Sequence, residues 1–239
     1  DLRSNGQVAH KMLARAGVTT TFDLGGPITE TLAAAAKHGA GLTIACINTV
    51  APGGNLPGRD ASRADIRKAL DASLDAGAIG IKIHYDSALT PESTETAIDE
   101  ANCAGAWVAF HCGTTATNSD ITGLAEAVRL AGKNRLHLAH VNSYCRGQLR
   151  DPVSEAMEAL SLLKGAPHLF SESYLAVING TSARCQDGLP VNHRVRMWLG
   201  MGGFPGTQDG LRQAIVEGWA RVHAQVGDAE ARHRVDDQD

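Results

Sequence analysis

Between residues 17 and 173 the hydrophobic positions repeat one theme. A short β-branched or aliphatic run gives way to polar or glycine-rich residues, and then to an alanine-rich stretch with helical spacing of its apolar positions. The strands so predicted are 18–24, 42–48, 79–83, 107–111, 136–140 and 168–173. The predicted helices are 7–16, 29–38, 62–76, 91–103, 119–131 and 152–164. Boundary residues agree with this reading. Thr90-Pro91-Glu92 sets a capping hydroxyl, a first-turn proline and an acidic residue in order, and Asp151-Pro152 does likewise. Gly17, Gly39, Gly77, Gly105 and Gly132 stand where helices should stop.

Strands that alternate with helices imply parallel β/α units. Their spacing is about thirty residues, as crossover connections require. Six strands are visible, and residues 1–3 offer a seventh. A complete (β/α)8 barrel takes about 250 residues. The chain is therefore expected to be α/β, a TIM-barrel-like (β/α)8 domain that is incomplete, with six or seven units over 1–210. After 173 the rhythm stops. Residues 174–205 are predicted to be a long loop and 211–226 a helix, with a charged, frayed end, so 211–239 is set apart as a C-terminal helix and tail.

Composition narrows the functional classes. The chain is 43% hydrophobic and 20% charged, enough for a sizeable core. With 4% aromatics that core must rest on Ala, Val, Ile and Leu. A net charge of -4 provides no field for nucleic acid or an anionic membrane. No apolar run reaches the ~20 residues of a membrane helix. The five cysteines, an odd number without a CxxC pair, predict reduced thiols and a cytoplasmic setting. A start at Asp1 rather than Met predicts a fragment or a processed chain.

In such folds chemistry gathers at the C-terminal ends of the strands. Lys82 lies inside the apolar strand 79–83 and is followed by His84 and Asp86; strand 107–111 ends in His111. Strand 136–140 ends in His140, followed by Asn142 and Ser143, and the last strand ends near Glu172. A buried lysine is costly unless paired or chemically altered. Imidazole is the commonest ligand of catalytic zinc. Arg146 and Arg184 follow the sixth and seventh strands, where a guanidinium can pair with a substrate carboxylate. His10, His38, His193, His223 and His233 are expected at the surface, His137 is expected to face the helices, and His168 opens a strand at the opposite end. The stretch 51–58 lacks the Lys-Ser/Thr of a phosphate loop and reads as an active-site loop. Cys112 and Cys145 read as small core residues.

Gly80-Ile81-Lys82-Ile83-His84, then Ala109-Phe110-His111, then Leu136-His137-Leu138-Ala139-His140-Val141-Asn142-Ser143 resemble the amidohydrolase superfamily. Lys, His, His on the fourth, fifth and sixth strands is the order of its dihydroorotase, hydantoinase and urease branches. Residues 76–91 look like the urease catalytic subunit. The opening Asp1-Leu2-Arg3-Ser4-Asn5-Gly6-Gln7, with Gly17-Val18-Thr19-Thr20 and the His140–Ser143 run, looks like the N-acyl-D-amino-acid and D-glutamate deacylase branch. The resemblance covers residues 1 to about 182. It implies that Lys82 takes up carbon dioxide as a carbamate bridging two metal ions, that His111 and His140 are metal ligands, and that His84 hydrogen-bonds the substrate carbonyl. Two departures stand out. Arg3 and Asn5 occupy the positions of a His-x-His pair, and arginine stays protonated and cannot ligate. No strand-eight aspartate is recognisable. The first metal site is therefore expected to be weakened or absent, and the general base stays open among Asp86, Glu172 and a residue beyond the chain.

The resemblance implies metal-dependent hydrolysis of a C–N amide bond in a small molecule, first of all an N-acyl-D-amino acid. One or two divalent ions, zinc by preference, would acidify a water molecule. Two alternatives stay open: a cyclic-amide hydrolase or deaminase on the same barrel, and a catalytically degenerate barrel kept as a binding or assembly subunit. The exposed edges of an incomplete barrel, and the habit of the superfamily, predict a homo-oligomer.

Overall fold

The computed structural model describes residues 6–173, 184–191, 195–196, 199–200 and 202–217. Arg3, Asn5, His193, His223 and His233 lie outside them. The chain divides into two compact units, Asp1–Tyr174 and Leu175–Asp239.

The first unit runs α1 (Gly6–Arg15), β1 (Thr20–Asp23), α2 (Ile28–His38), β2 (Thr43–Cys46), β3 (Asn48–Thr49), α3 (Arg63–Asp75), β4 (Gly80–His84), α4 (Pro91–Cys103), β5 (Trp107–His111), α5 (Ile121–Ala131), β6 (Leu136–Leu138), α6 (Pro152–Lys164) and β7 (Leu169–Ser171). All its strand pairs are parallel: β1 with β2, and β3 to β7 in chain order. The two sheets share a strand interrupted at Ile47. Ile79 N donates to Cys46 O at 2.9 Å on one side of the break, and Val50 N to Lys82 O at 2.9 Å on the other. Side-chain caps fix four helix starts. Ser62 and Asp65 form a reciprocal box on α3, Thr90 accepts from Ser93 N, Asp120 from Thr122 N and Asp151 from Ser154 N; each is worth roughly 1 kcal/mol.

Alternation along the strands sorts two faces. Ile81 pairs with Val108, and Ile83 with Phe110, which pairs in turn with Leu138. These five are buried with Ile66, Leu70, Ile98 and Leu124 of α3, α4 and α5 in one core between sheet and helices. Lys82, His84, Ala109, His111 and His137 belong to the other face, since the register sets Lys82 beside Ala109, His84 beside His111 and Ala109 beside His137. The strands approach closely at Gly80, where a Cβ would fall 1.8 Å from the Trp107 carbonyl oxygen.

Three expectations for the first unit need correction. The sixth strand stops at Leu138, because His140 turns to φ 40°, a left-handed conformation that no strand accommodates. His137 lies on the face of His111 rather than toward the helices, since alternation cannot be carried past Leu138 to His140. His10 is fully buried, with Nδ1 3.3 Å from Gly39 O, because α1 packs on α2.

The second unit corrects the loop expected over 174–205. It holds an antiparallel pair, β8 (Cys185–Gln186) and β9 (Leu189–Pro190), around Asp187 at φ 51° and Gly188 at φ 76°, an Asp-Gly hairpin turn. Helix α7 (Gln208–Val216) starts from a Thr207 cap, and Val195, Leu199, Leu211 and Ala214 form the unit's core. Among the described residues no helix is long and apolar enough to cross a membrane.

Candidate active site

The imidazoles come together from three strand ends. Register places His84 beside His111, with ring centroids 4.4 Å apart and planes tilted by 35°. The chain leaves β6 at Leu138 and turns at His140 (φ 40°, ψ 68°), which brings His140 Nε2 to 2.8 Å from His111 Nδ1. A non-glycine residue in this region carries a strain of roughly 1–2 kcal/mol. The surroundings hold it there. His140 N donates to Glu172 Oε1 at 2.7 Å, and Ala139 N to Phe110 O at 3.0 Å. The buried Tyr144 hydroxyl donates to Ala139 O at 2.6 Å and accepts from Cys112 N at 3.0 Å. Strain that neighbouring bonds enforce in this way is typical of functional positions.

Each histidine has a second partner. His111 Nε2 lies 2.8 Å from Ser119 Oγ. His140 Nδ1 lies 3.4 Å from Glu172 Oε1, while the other carboxylate oxygen hydrogen-bonds His137 Nε2. Burial would raise the pKa of Glu172, but the bonds from His137 and His140 outweigh it and hold the carboxyl well below the usual range. Glu172 thus serves as an anionic orienter of two imidazoles. His137 stacks on Phe170, with centroids at 5.2 Å, and meets Trp107 edge-on. His84 Nδ1 accepts from Asp86 N at 3.1 Å and lies 3.6 Å from Asp86 Oδ2. That acceptor role puts the proton of the neutral ring on Nε2.

Lys82 is 8% exposed. Burial lowers its pKa, against the opposing pull of Glu172, Asp23 and Asp86. Asp23 ends β1, is itself buried, and accepts from Gly25 N at 2.7 Å. Arg146 bonds Asn142 O at 3.2 Å and Ser143 Oγ at 3.3 Å, so it braces the turn after His140. Arg184 is exposed and belongs to the second unit. Burial pushes the Cys112 thiol up to about 12, which removes it as a nucleophile at neutral pH.

Beside the imidazoles, at the ends of β4 and β5, lies an open cleft of about 400 Å³ whose lining includes Arg59, Tyr85, Asp86, Thr115 and Asn118. Sequence reasoning missed Asp23, Arg59, Ser119 and Tyr144. Asp23 had a signal, a carboxylate closing a strand; the other three sit in loops with no local pattern.

Among the described residues no three His, Cys, Asp or Glu side chains stand together as a metal-binding group. His111 and His140 offer two converging nitrogens.

No family model matches the sequence, and no curated protein matches it. Its structure is similar to the crystal structure of a Xaa-Pro dipeptidase with methionine bound in the active site: TM-score 0.43, 20% sequence identity, covering 66% of this chain and 43% of that one. The chain thus spans less than half of that protein's length. A likeness at this level fixes neither fold nor chemistry.

Proposed function

We propose that the chain is part of an amidohydrolase-like barrel that hydrolyses a carbon–nitrogen amide bond in a small molecule, with a divalent ion, zinc first, held by His111 Nδ1, His140 Nε2 and the carbamate of Lys82. The 2.8 Å approach of two imidazole nitrogens from successive strand ends carries this reading. Without a metal the two rings share one N–H···N hydrogen bond at this distance; a common cation would take its place and engage both lone pairs. The donor set suits zinc. The chain-order run of parallel strands from β3 to β7 is compatible with a β/α barrel.

The lowered pKa of Lys82 supports its modification. Carbon dioxide reacts with the neutral amine: a nitrogen–carbon bond forms, one proton leaves to solvent, and an anionic carbamate results. The metal, when bound, supplies an acidified water and a polarised carbonyl. The remaining roles belong to the chain. Ser119 Oγ accepts a hydrogen bond from His111 Nε2–H and so leaves the Nδ1 lone pair available. Glu172 orients His140 and is fully engaged in doing so. His84, with its proton on Nε2, donates to the substrate carbonyl. Asp86 beside it, with its side chain 63% exposed, is the carboxylate able to exchange a proton. The preferred substrate class is an N-acyl-D-amino acid, and the expected assembly is a homo-oligomer.

Metal analysis of the purified chain, loaded with zinc in the presence of bicarbonate, tests the reading. A stoichiometric ion is expected, lost in His111→Ala, His140→Ala and Lys82→Ala. Hydrolysis should be found in a screen of N-acyl-D-amino acids against hydantoins and dihydropyrimidines. A wild-type chain that takes up no divalent ion under these conditions overturns it.

A further inference from the structure

The cleft beside the imidazoles has an uneven supply of hydrogen-bonding groups. Arg59 Nη1 donates to Ala88 O at 2.8 Å, which tethers the guanidinium to the cleft wall. Among the described residues Arg59 forms no ion pair with a carboxylate, so its charge and its other N–H groups face the cleft unneutralised. The Tyr85 hydroxyl donates to Asn118 Oδ1 at 3.3 Å. That bond engages the acceptor end of the Asn118 amide and leaves its two N–H donors. Thr115 adds an exposed hydroxyl; its backbone N–H is already bonded to Leu89 O at 2.9 Å. Arginine, amide and hydroxyl donors therefore gather in one open depression.

A carboxylate is the complementary group, since it only accepts and fits the guanidinium fork. Asp86 lines the same cleft and opposes any anion there, a phosphate dianion more strongly than a single carboxylate. The cleft also adjoins the chemistry. Asn118 precedes Ser119, the partner of His111, and Asp86 carries the N–H bonded to His84.

We infer that this cleft is the carboxylate subsite and Arg59 its specificity-determining residue, so that the amide substrate carries a single carboxylate close to the scissile bond. The inference rests on the hydrolase reading above and moves the anchor from Arg146 and Arg184 to Arg59. In the metal-free protein, calorimetric titration with N-acetylglycine should show binding that Arg59→Gln weakens about tenfold or more. Arg59→Lys, which keeps the charge but not the fork, should fall between. The neutral N-methylacetamide should bind weakly to all three proteins. Circular dichroism confirms that each variant folds, which an exposed side chain with one backbone bond favours. Equal N-acetylglycine affinity in wild type and Arg59→Gln overturns the inference. So does inorganic phosphate binding more tightly than N-acetylglycine in an Arg59-dependent way. Because no metal is used, the carboxylate result stands or falls separately from zinc uptake by His111 and His140.

Discussion

The hydroxyl of Tyr144 donates to the carbonyl of Ala139 at 2.6 Å, and so fixes the residue immediately before the left-handed His140. The same oxygen receives the N–H of Cys112, the residue after His111. One buried phenol thus sets the spacing of both imidazoles. Tyr144→Phe leaves a buried carbonyl and a buried amide without partners. It should cost about 1–3 kcal/mol in urea unfolding, and it should weaken zinc binding about tenfold. Unchanged zinc affinity in a destabilised variant would show that the phenol supports the fold alone.

His140 places function and backbone comfort in opposition. At φ 40° glycine is at ease and alanine is not. His140→Gly should be more stable than His140→Ala by about 1 kcal/mol, and neither variant should take up zinc. Thermal or urea unfolding of the pair decides it. Equal stability would mean that the turn relaxes once the imidazole is gone.

Glu155 gives a pH-dependent test away from the site. Its carboxylate is buried and accepts from the N–H groups of Gly147, Gln148, Leu149 and Arg150. Burial alone would raise its pKa, but these four bonds bring it below the ordinary value. A folded pKa below the unfolded one means that the stabilisation is complete above the unfolded value of about 4.3. It fades as pH falls through the folded value. Glu155→Gln should therefore be less stable than wild type at neutral pH by roughly 2 kcal/mol. The gap in urea midpoints should narrow as pH drops below about 4. A gap that stays constant with pH would rule out a charged Glu155 as its source.

Gly80→Ala tests the close approach of β4 to β5. The added methyl would sit 1.8 Å from a backbone oxygen, which cannot rotate away. A loss above about 3 kcal/mol is expected, read as a collapse of the urea midpoint. A variant as stable as wild type would mean that the two strands are farther apart.

Much of this architecture is legible from local chemistry. Helices α4 and α6 can be read to the residue because a capping side chain followed by proline marks where each begins. Lys82, His111 and His140 can be singled out because each lies within or just beyond an apolar strand. The end of β6 cannot be read, since Leu136 to His140 continues to look like a strand and only bonds from Tyr144, Phe110 and Glu172 bend it. The hairpin at Asp187-Gly188 carries its own turn signal, but its two-residue strands are too short to show alternation. Arg59 and Ser119 act across loops whose paths are set by tertiary packing, so nothing adjacent to them in sequence announces a role.

The early end of β6 constrains the number of residues more than their identity. His137 and His140 share one side of the sheet only because the chain departs from its pleat between them. An added or deleted residue at 139–141 would swing the second ring out of reach of His111, even if every helix and strand formed as before. The spacer between these histidines is therefore expected to keep its length among related sequences while its side chains vary.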